Sequence, residues 1–210
     1  PFMASAMDAV VDPSFAIAMH RAGGLAVLNL EGVWTRYDDP GSILQEVAAA
    51  SRDEATMLHQ KAYQAPIRDD LIASRIREIK DGGAIAAVSV TPVNTKRTAA
   101  LVQDSGADLI FVQSTVTSAR HESSSVEGLR FDKLLSFIHI PVVVGNTVGF
   151  TATLELMRTG VTAIRPREDQ GVPVEEIAHA ADGGDAAQAD GYVLLRHAAD
   201  VAVDHMTHGG

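Results

Sequence analysis

Cysteine is absent from the 210 residues. A disulfide framework, a thiolate zinc site and a cysteine nucleophile are therefore excluded from anything these residues build by themselves. Long apolar runs are missing too: no stretch approaches the roughly 20 residues that span a bilayer, and no signal-peptide pattern is present. A cytoplasmic protein with no membrane partner is the resulting expectation. Cationic side chains are scarce, with 17 Lys and Arg against 27 Asp and Glu for a net charge of −10. Gripping a phosphate backbone needs clustered Lys and Arg, so nucleic acid is not an expected partner. Neither a GxGxxG nor a Walker sequence follows a strand-like run, which removes the commonest supports for an open nucleotide-binding sheet. An initiator Met is missing as well, and the opening Pro1-Phe2-Met3 reads as a sequence from which upstream residues have been removed.

What is present is globular. Hydrophobic residues make up 46% and charged residues 21%, enough for one domain with a substantial core. Up to residue 164, short β-rich runs alternate with helical segments. PFMASA reads as the end of a strand. Asp12-Pro13 offers an N-cap and an N1 proline to a helix through PSFAIAMHRA, which Gly23-Gly24 end. LAVLNL follows as a strand, residues 42–50 and 69–81 as helices, AIAAVSV as a strand, 94–104 as a helix and ADLIFVQ as a strand. After a polar loop come a helical turn or two over 131–137, the strand PVVVG, a helix over 151–158 and the strand VTAI, which ends at Ile164. Several of these strands are apolar on both faces, the pattern of a parallel sheet covered by helices. Spacing leaves two architectures open, a doubly wound sheet and a closed (β/α)8 TIM barrel.

In such units the chemistry sits where strands end. Those positions hold Ser5-Ala6-Met7-Asp8, Asn29-Leu30-Glu31-Gly32, Thr91-Pro92-Val93-Asn94, Gln113-Ser114-Thr115 and Gly145-Asn146-Thr147. They are small, polar and poor in charge, which suits hydrogen bonding to a polar ligand better than hydrolysis by paired carboxylates. Singly, each has an ordinary alternative: Asn94 as a helix N-cap, Ser114 and Thr115 as turn residues, Met7 as core filling. Asp182-Gly183-Gly184-Asp185 reads either as a plain connection or as an Asp for a sugar diol with glycine N–H groups near a phosphate. His205 and His208 share a helical spacing but read as solvated surface, and no metal is expected.

ASAMDAVVD followed by AIAMHRAGGLAVLN resembles the first substrate-binding strand of the IMP dehydrogenase/GMP reductase family, whose pattern runs S-x-P-M-D-T-V, helix, Gly-Gly, strand. VVVGNTVGFTATLELMRTGVTAI resembles the family's G-G-N-V-x-T, helix, G-A-D-x-x-K-V-G unit. The two lie in the family's order, and residues 1–164 carry the resemblance. It is closest to the bacterial IMP dehydrogenase-related branch without CBS domains, because the segment between the strands at Leu28 and Ala84 is too short for a CBS pair. The resemblance implies a single (β/α)8 barrel catalytic domain over 1–210 that binds a purine nucleoside monophosphate (IMP, XMP or GMP) beside a nicotinamide cofactor, NAD or NADP. It implies a homo-oligomer, by family a tetramer. It implies IMP dehydrogenase-type oxidation of IMP to XMP, with GMP reductase or a non-catalytic purine-nucleotide-binding barrel as alternatives. Residue by residue, Ser5 and Met7 correspond to nucleotide contacts, Asp182, Gly183 and Gly184 to the ribose and phosphate site, Gln113, Ser114 and Thr115 to the cofactor side, and Asn146 to a cofactor-side or loop-supporting position.

Departures from the family pattern carry information of their own. Gln113 stands where dehydrogenases have an Asp that accepts from the nicotinamide ribose, and Ala6 replaces the usual Pro. In the family the strand V-T-A-I continues into a V-G-V-G-P-G run, the catalytic Cys, and then R-E-x-x-G-V-G-x-P-Q. Here Arg167-Glu168-x-x-Gly171-Val172-Pro173 follows almost at once and resembles the far side of that loop. The expectation is that the loop bearing the catalytic Cys is missing directly after Ile164, with a break in the chain at that point. AADGGDAAQADGYVLL likewise resembles a strand, helix and strand with its interior squeezed out, and a second break is expected between Asp182 and Tyr192. Catalytic loops are low-stability, mobile parts of an enzyme, which is why they and some barrel elements are the parts expected to be absent from this sequence.

Overall fold

The chain divides into two units, one of residues 1–89 and 104–107, the other of residues 90–103 and 108–210. The computed structural model describes residues 2–115, 117 and 128–166, and the backbone of two later strands, Ala186–Ala189 and Tyr192–Leu195.

In the first unit a short strand β1 (Met3–Ala4) leads to helix α1 (Pro13–Arg21) and strand β2 (Leu25–Asn29). Asp12 caps α1 by accepting from the Phe15 N–H at 2.6 Å, with Pro13 in the first turn where its missing N–H costs nothing. Gly23, at φ 82°, makes the left-handed exit that a side chain would resist. A single 3-10 turn (Val33–Thr35) follows β2, then α2 (Pro40–Ala49), α3 (Arg52–Ala62), α4 (Asp69–Asp81) and strand β3 (Ala87–Val90), whose last residue belongs to the second unit. β1, β2 and β3 are parallel, with Met3 beside Leu25 and Val27 beside Ala87. Leu71, Ile72, Ile76 and Ile79 form the buried stripe of α4, spaced so that they share one face.

The second unit continues with α5 (Pro92–Asp104, its last residue in the first unit), β4 (Leu109–Gln113), α6 (Phe131–Leu135), β5 (Val142–Thr147), α7 (Phe150–Met157) and β6 (Ala163–Pro166). β4, β5 and β6 are parallel, the order expected of (β/α) repeats. Past β6 that order stops. β7 (Ala186–Ala189) and β8 (Tyr192–Leu195) pair antiparallel, and β8 lies antiparallel on β6. β7 and β8 are too close in sequence for a helix between them, and they take the antiparallel pairing that a short connection permits.

Four sequence expectations change. The strand does not stop at Ile164: β6 runs on through Arg165 and Pro166. Ile164 is fully buried and pairs with Val144 of β5 on one side and Val193 of β8 on the other. Beyond it Arg165 still lies beside Gly145 and Pro166 beside Thr147. β5 continues to Thr147 and so offers ladder partners past Ile164, and backbone pairing carries the strand into residues whose polar side chains suggested a loop. The residues after 166 lie outside the described ones, and so does the second expected break between Asp182 and Tyr192.

The other three changes concern helices. Residues 52–62 form a helix that hydrophobic periodicity does not reveal, because α3 buries only Ala62; its start is set by a capping box in which Ser51 and Glu54 each accept from the other's backbone N–H. α2 begins at Pro40 rather than 42, since Asp39 accepts from Ser42 N at 3.3 Å and repeats the Asp-Pro start of α1. Asn94 is not an N-cap. It sits in the first turn of α5, its N–H bonded to the Thr91 carbonyl.

Ile76 is fully buried, so Ile76→Ala should lower the unfolding free energy by about 2–5 kcal/mol. Urea denaturation followed by circular dichroism checks this, and a loss below the range would mean that the α4 stripe is not core.

Candidate functional site

At the end of β1 the chain turns immediately. The Met7 N–H bonds the Ser5 carbonyl at 2.7 Å, and the Val10 and Val11 N–H groups bond the Met7 carbonyl at 3.0 and 2.9 Å. Ser5 is half-buried and Met7 is 56% exposed, so Met7 does not fill the core. Asp8 turns the other way. Its carboxylate accepts from the Val33 N–H at 3.1 and 3.0 Å and from the Tyr63 hydroxyl at 2.5 Å, while its carbonyl accepts from Trp34 Nε1 at 3.1 Å. Burial first, and the adjoining Asp8 carboxylate second, push the Tyr63 phenol well above its ordinary range, so it remains a donor.

Gly32 makes this arrangement possible. A Cβ there would stand 1.5 Å from Asp8 Oδ1, so the carboxylate occupies the space a side chain would need. The loop after β2 is then held by its own cations. Arg36 donates to the Glu31 carbonyl at 3.1 and 3.0 Å, to the Tyr63 carbonyl at 3.1 Å and to the Ala65 carbonyl, and lies 5.3 Å from the centroid of the Tyr63 ring. Arg75, reaching from α4, donates to the Trp34 and Asp38 carbonyls at 3.1 and 3.0 Å. Thr35, fully buried, donates to the Leu30 carbonyl at 2.8 Å.

In the second unit the ends of β4, β5 and β6 come together. Register places Gln113 beside Gly145 and Gly145 beside Arg165. The Ser114 N–H bonds the Gly145 carbonyl at 3.0 Å and the Asn146 N–H bonds the Ser114 carbonyl at 3.1 Å. Thr117 closes the cluster: its N–H bonds the Asn146 carbonyl at 2.7 Å, its hydroxyl donates to the Gly145 carbonyl at 2.7 Å, and the same oxygen lies 3.0 Å from Ser114 Oγ. Arg165 Nη1 donates to Asn146 Oδ1 at 3.3 Å, which fixes the orientation of that amide. Arg165 can do so because β6 runs on past Ile164 and Arg165 still pairs in register with Gly145 of β5. Thr153, in the first turn of α7, donates to Thr147 Oγ1 at 2.8 Å and ties the helix to the strand before it.

Gln113 and Ser114 are half-buried and Thr115 is exposed. The structure thus brings Gln113, Ser114, Thr115 and Asn146 to one strand edge within the second unit, and Ser5 and Met7 to one turn within the first. Asp182, Gly183, Gly184, His205 and His208 lie outside the described residues, as does the run 167–173. Thr117 and Arg165 are two residues that sequence reasoning passed over. The hydroxyl run Ser114-Thr115-Val116-Thr117 was the available signal for the first, and Arg165 was hidden inside a polar stretch read only as an interrupted strand.

The donor set of the second unit is made of amides and hydroxyls with one guanidinium. It suits ribose hydroxyls and a carboxamide, both uncharged and both needing paired donors and acceptors. Among the described residues no helix is long and apolar enough to cross a membrane.

Comparison with known proteins agrees with these elements. The model of the IMP dehydrogenase / GMP reductase domain family matches residues 1–166. An uncharacterized oxidoreductase of Mycobacterium leprae is 35% identical over 169 residues, covering 78% of this chain and 45% of that protein. An uncharacterized oxidoreductase of Mycobacterium tuberculosis H37Rv is 36% identical over 169 residues, with the same shares covered. The chain therefore spans about half the length of the curated relatives it matches. Among solved structures, an IMP dehydrogenase/GMP reductase-like protein from Corynebacterium glutamicum superimposes with a TM-score of 0.76 at 28% identity, over 97% of this chain and 54% of that one. The fold class is accordingly the TIM barrel type that the parallel (β/α) repeats of each unit indicate.

Gly32→Ala should force the Asp8 carboxylate away from Val33 and Tyr63. With buried partners left unpaired, the cost should be about 1–3 kcal/mol, together with a changed emission from Trp34, the single tryptophan of the chain. An unchanged melting temperature and emission would show that the loop relaxes around the added methyl.

Proposed function

The chain belongs to the IMP dehydrogenase / GMP reductase family, and from that premise we propose that it is the nucleotide-binding part of a nicotinamide-dependent oxidoreductase acting on purine nucleoside monophosphates. The assignment made is IMP dehydrogenase-type, IMP to XMP. The observation that carries the reading is the strand edge where Gln113, Ser114, Asn146 and Arg165 meet, polar and nearly uncharged, at the position where (β/α) units hold their ligands.

In this reading Ser5 and Met7 contact the nucleotide, the exposed thioether of Met7 offering a flat apolar surface to a purine. Asp182 accepts from the ribose diol and Gly183 and Gly184 approach the phosphate. Gln113, Ser114, Thr115 and Asn146 hold the nicotinamide cofactor, which when bound supplies the hydride acceptor or donor. Asn146 is oriented by Arg165, so its amide presents one fixed face. The nucleophile assigned by the family is a Cys, and with no cysteine in the 210 residues it is assigned to a residue outside this sequence. A homo-oligomer and a cytoplasmic location belong to the same proposal.

One observation favours the opposite direction, reductive deamination of GMP: Gln113 puts an amide where a dehydrogenase has a carboxylate for the nicotinamide ribose. The experiment separates the two. Protein carrying the full native sequence should change the near-ultraviolet absorbance of reduced nicotinamide with IMP and oxidised cofactor. A change only with GMP and reduced cofactor moves the assignment to the reductase, and both NAD and NADP forms belong in the assay because Gln113 leaves that choice open. No change in any combination, from folded protein that contains the loop Cys and binds IMP, would leave a non-catalytic nucleotide-binding barrel.

A further inference from the structure

We propose that Tyr63 is a positioning residue for the turn at the end of β1, acting through Asp8. The inference rests on the reading of Ser5 and Met7 as nucleotide contacts and adds a residue, distant in sequence, on which their placement depends.

β1 is a short strand. Only Met3 and Ala4 pair with β2, opposite Leu25 and Ala26, so ladder bonds end before Ser5. Beyond that point the turn is bonded internally, Met7 to Ser5 and Val10 and Val11 to Met7, which gives it shape without fixing where it lies. What fixes it is Asp8. The carboxylate is held from two sides, by the Val33 N–H at 3.1 and 3.0 Å and by the Tyr63 hydroxyl at 2.5 Å, and the carbonyl is held by Trp34 Nε1 at 3.1 Å. Val33 and Trp34 belong to the loop after β2, but Tyr63 comes from the end of α3.

Tyr63 is itself anchored. Arg36 bonds its carbonyl at 3.1 Å and stacks against its ring, and the His59 ring stands 5.0 Å away, centroid to centroid. The hydroxyl is thus delivered from a fixed ring. Gly32 leaves no room for a side chain beside the carboxylate, so Asp8 has one seat. Charge-assisted bonds from O–H to carboxylate are the short, strong ones, and removing this donor frees one side of the Asp8 anchor while leaving the ring packing intact.

The test uses protein with the full native sequence and two variants. Tyr63→Phe keeps the ring and removes the hydroxyl. Tyr37→Phe is the matched control, because the Tyr37 hydroxyl donates to the Ala62 carbonyl at 3.0 Å and secures the same end of α3 without touching Asp8. Calorimetry with IMP and with GMP should show roughly five-fold weaker binding for Tyr63→Phe, the size of one lost hydrogen bond, and wild-type binding for Tyr37→Phe. Emission from Trp34, whose indole N–H bonds Asp8, should differ from wild type in free Tyr63→Phe and not in Tyr37→Phe. Equal weakening in both variants would mean general loosening of α3 and would overturn the proposal, as would wild-type affinity in Tyr63→Phe. If the wild-type protein binds neither nucleotide, the functional reading of the β1 turn falls and this inference falls with it.

Discussion

Val27, Leu28, Val88, Ile110, Val112, Val142 and Val144 are each no more than 2% exposed, so the strands that carry them have no face turned to water. Such strands cannot host polar chemistry along their length, because an unpaired polar group there costs several times what a hydrogen bond returns. Polar side chains are therefore displaced to the points where strands end and backbone groups lose their ladder partners. The same constraint goes with strands that are parallel and covered by helices, and among the described residues it places the candidate ligand contacts at strand ends.

What the strand ends contain is of two kinds. Asp8 and Thr35 in the first unit and Thr117 in the second are committed inward: their oxygens bond neighbouring backbone groups, and each helps to shape the strand ends of its own unit. Ser5, Met7, Gln113 and Thr115 stand at half-buried or exposed positions, where a ligand can reach them. Asn146 lies between, its amide oxygen bound to Arg165.

Much of this was legible in the sequence. Apolar runs gave the strands, and the Asp-Pro start and Gly-Gly end of the first helix follow from capping chemistry alone. The family resemblance over residues 1–164 agrees with the domain match over 1–166. Less was legible where structure rests on single polar bonds rather than on periodicity. α3 buries almost nothing and so leaves no apolar stripe, although Ser51 and Glu54 spelled out its capping box. The role of Asp8 was hidden because its partners, Gly32, Val33 and Tyr63, are scattered along the chain. The end of β6 was placed at Ile164 because apolar side chains stop there, whereas backbone pairing with β5 continues through Arg165 and Pro166. The antiparallel pair β7 and β8 replaces an expected parallel crossover because too few residues remain for a helix between strands.

The central claim is that the strand ends of the two units are where a purine nucleoside monophosphate and a nicotinamide cofactor bind. Amide hydrogen exchange read by mass spectrometry, with and without saturating IMP and cofactor, tests it most directly. Exchange should slow in peptides covering residues 5–8 on adding IMP, and in peptides covering 113–117 and 145–147 on adding cofactor, while α3 and the solvent side of α4 exchange as before. Unchanged exchange at these strand ends, at ligand concentrations that calorimetry shows to be saturating, would contradict the claim.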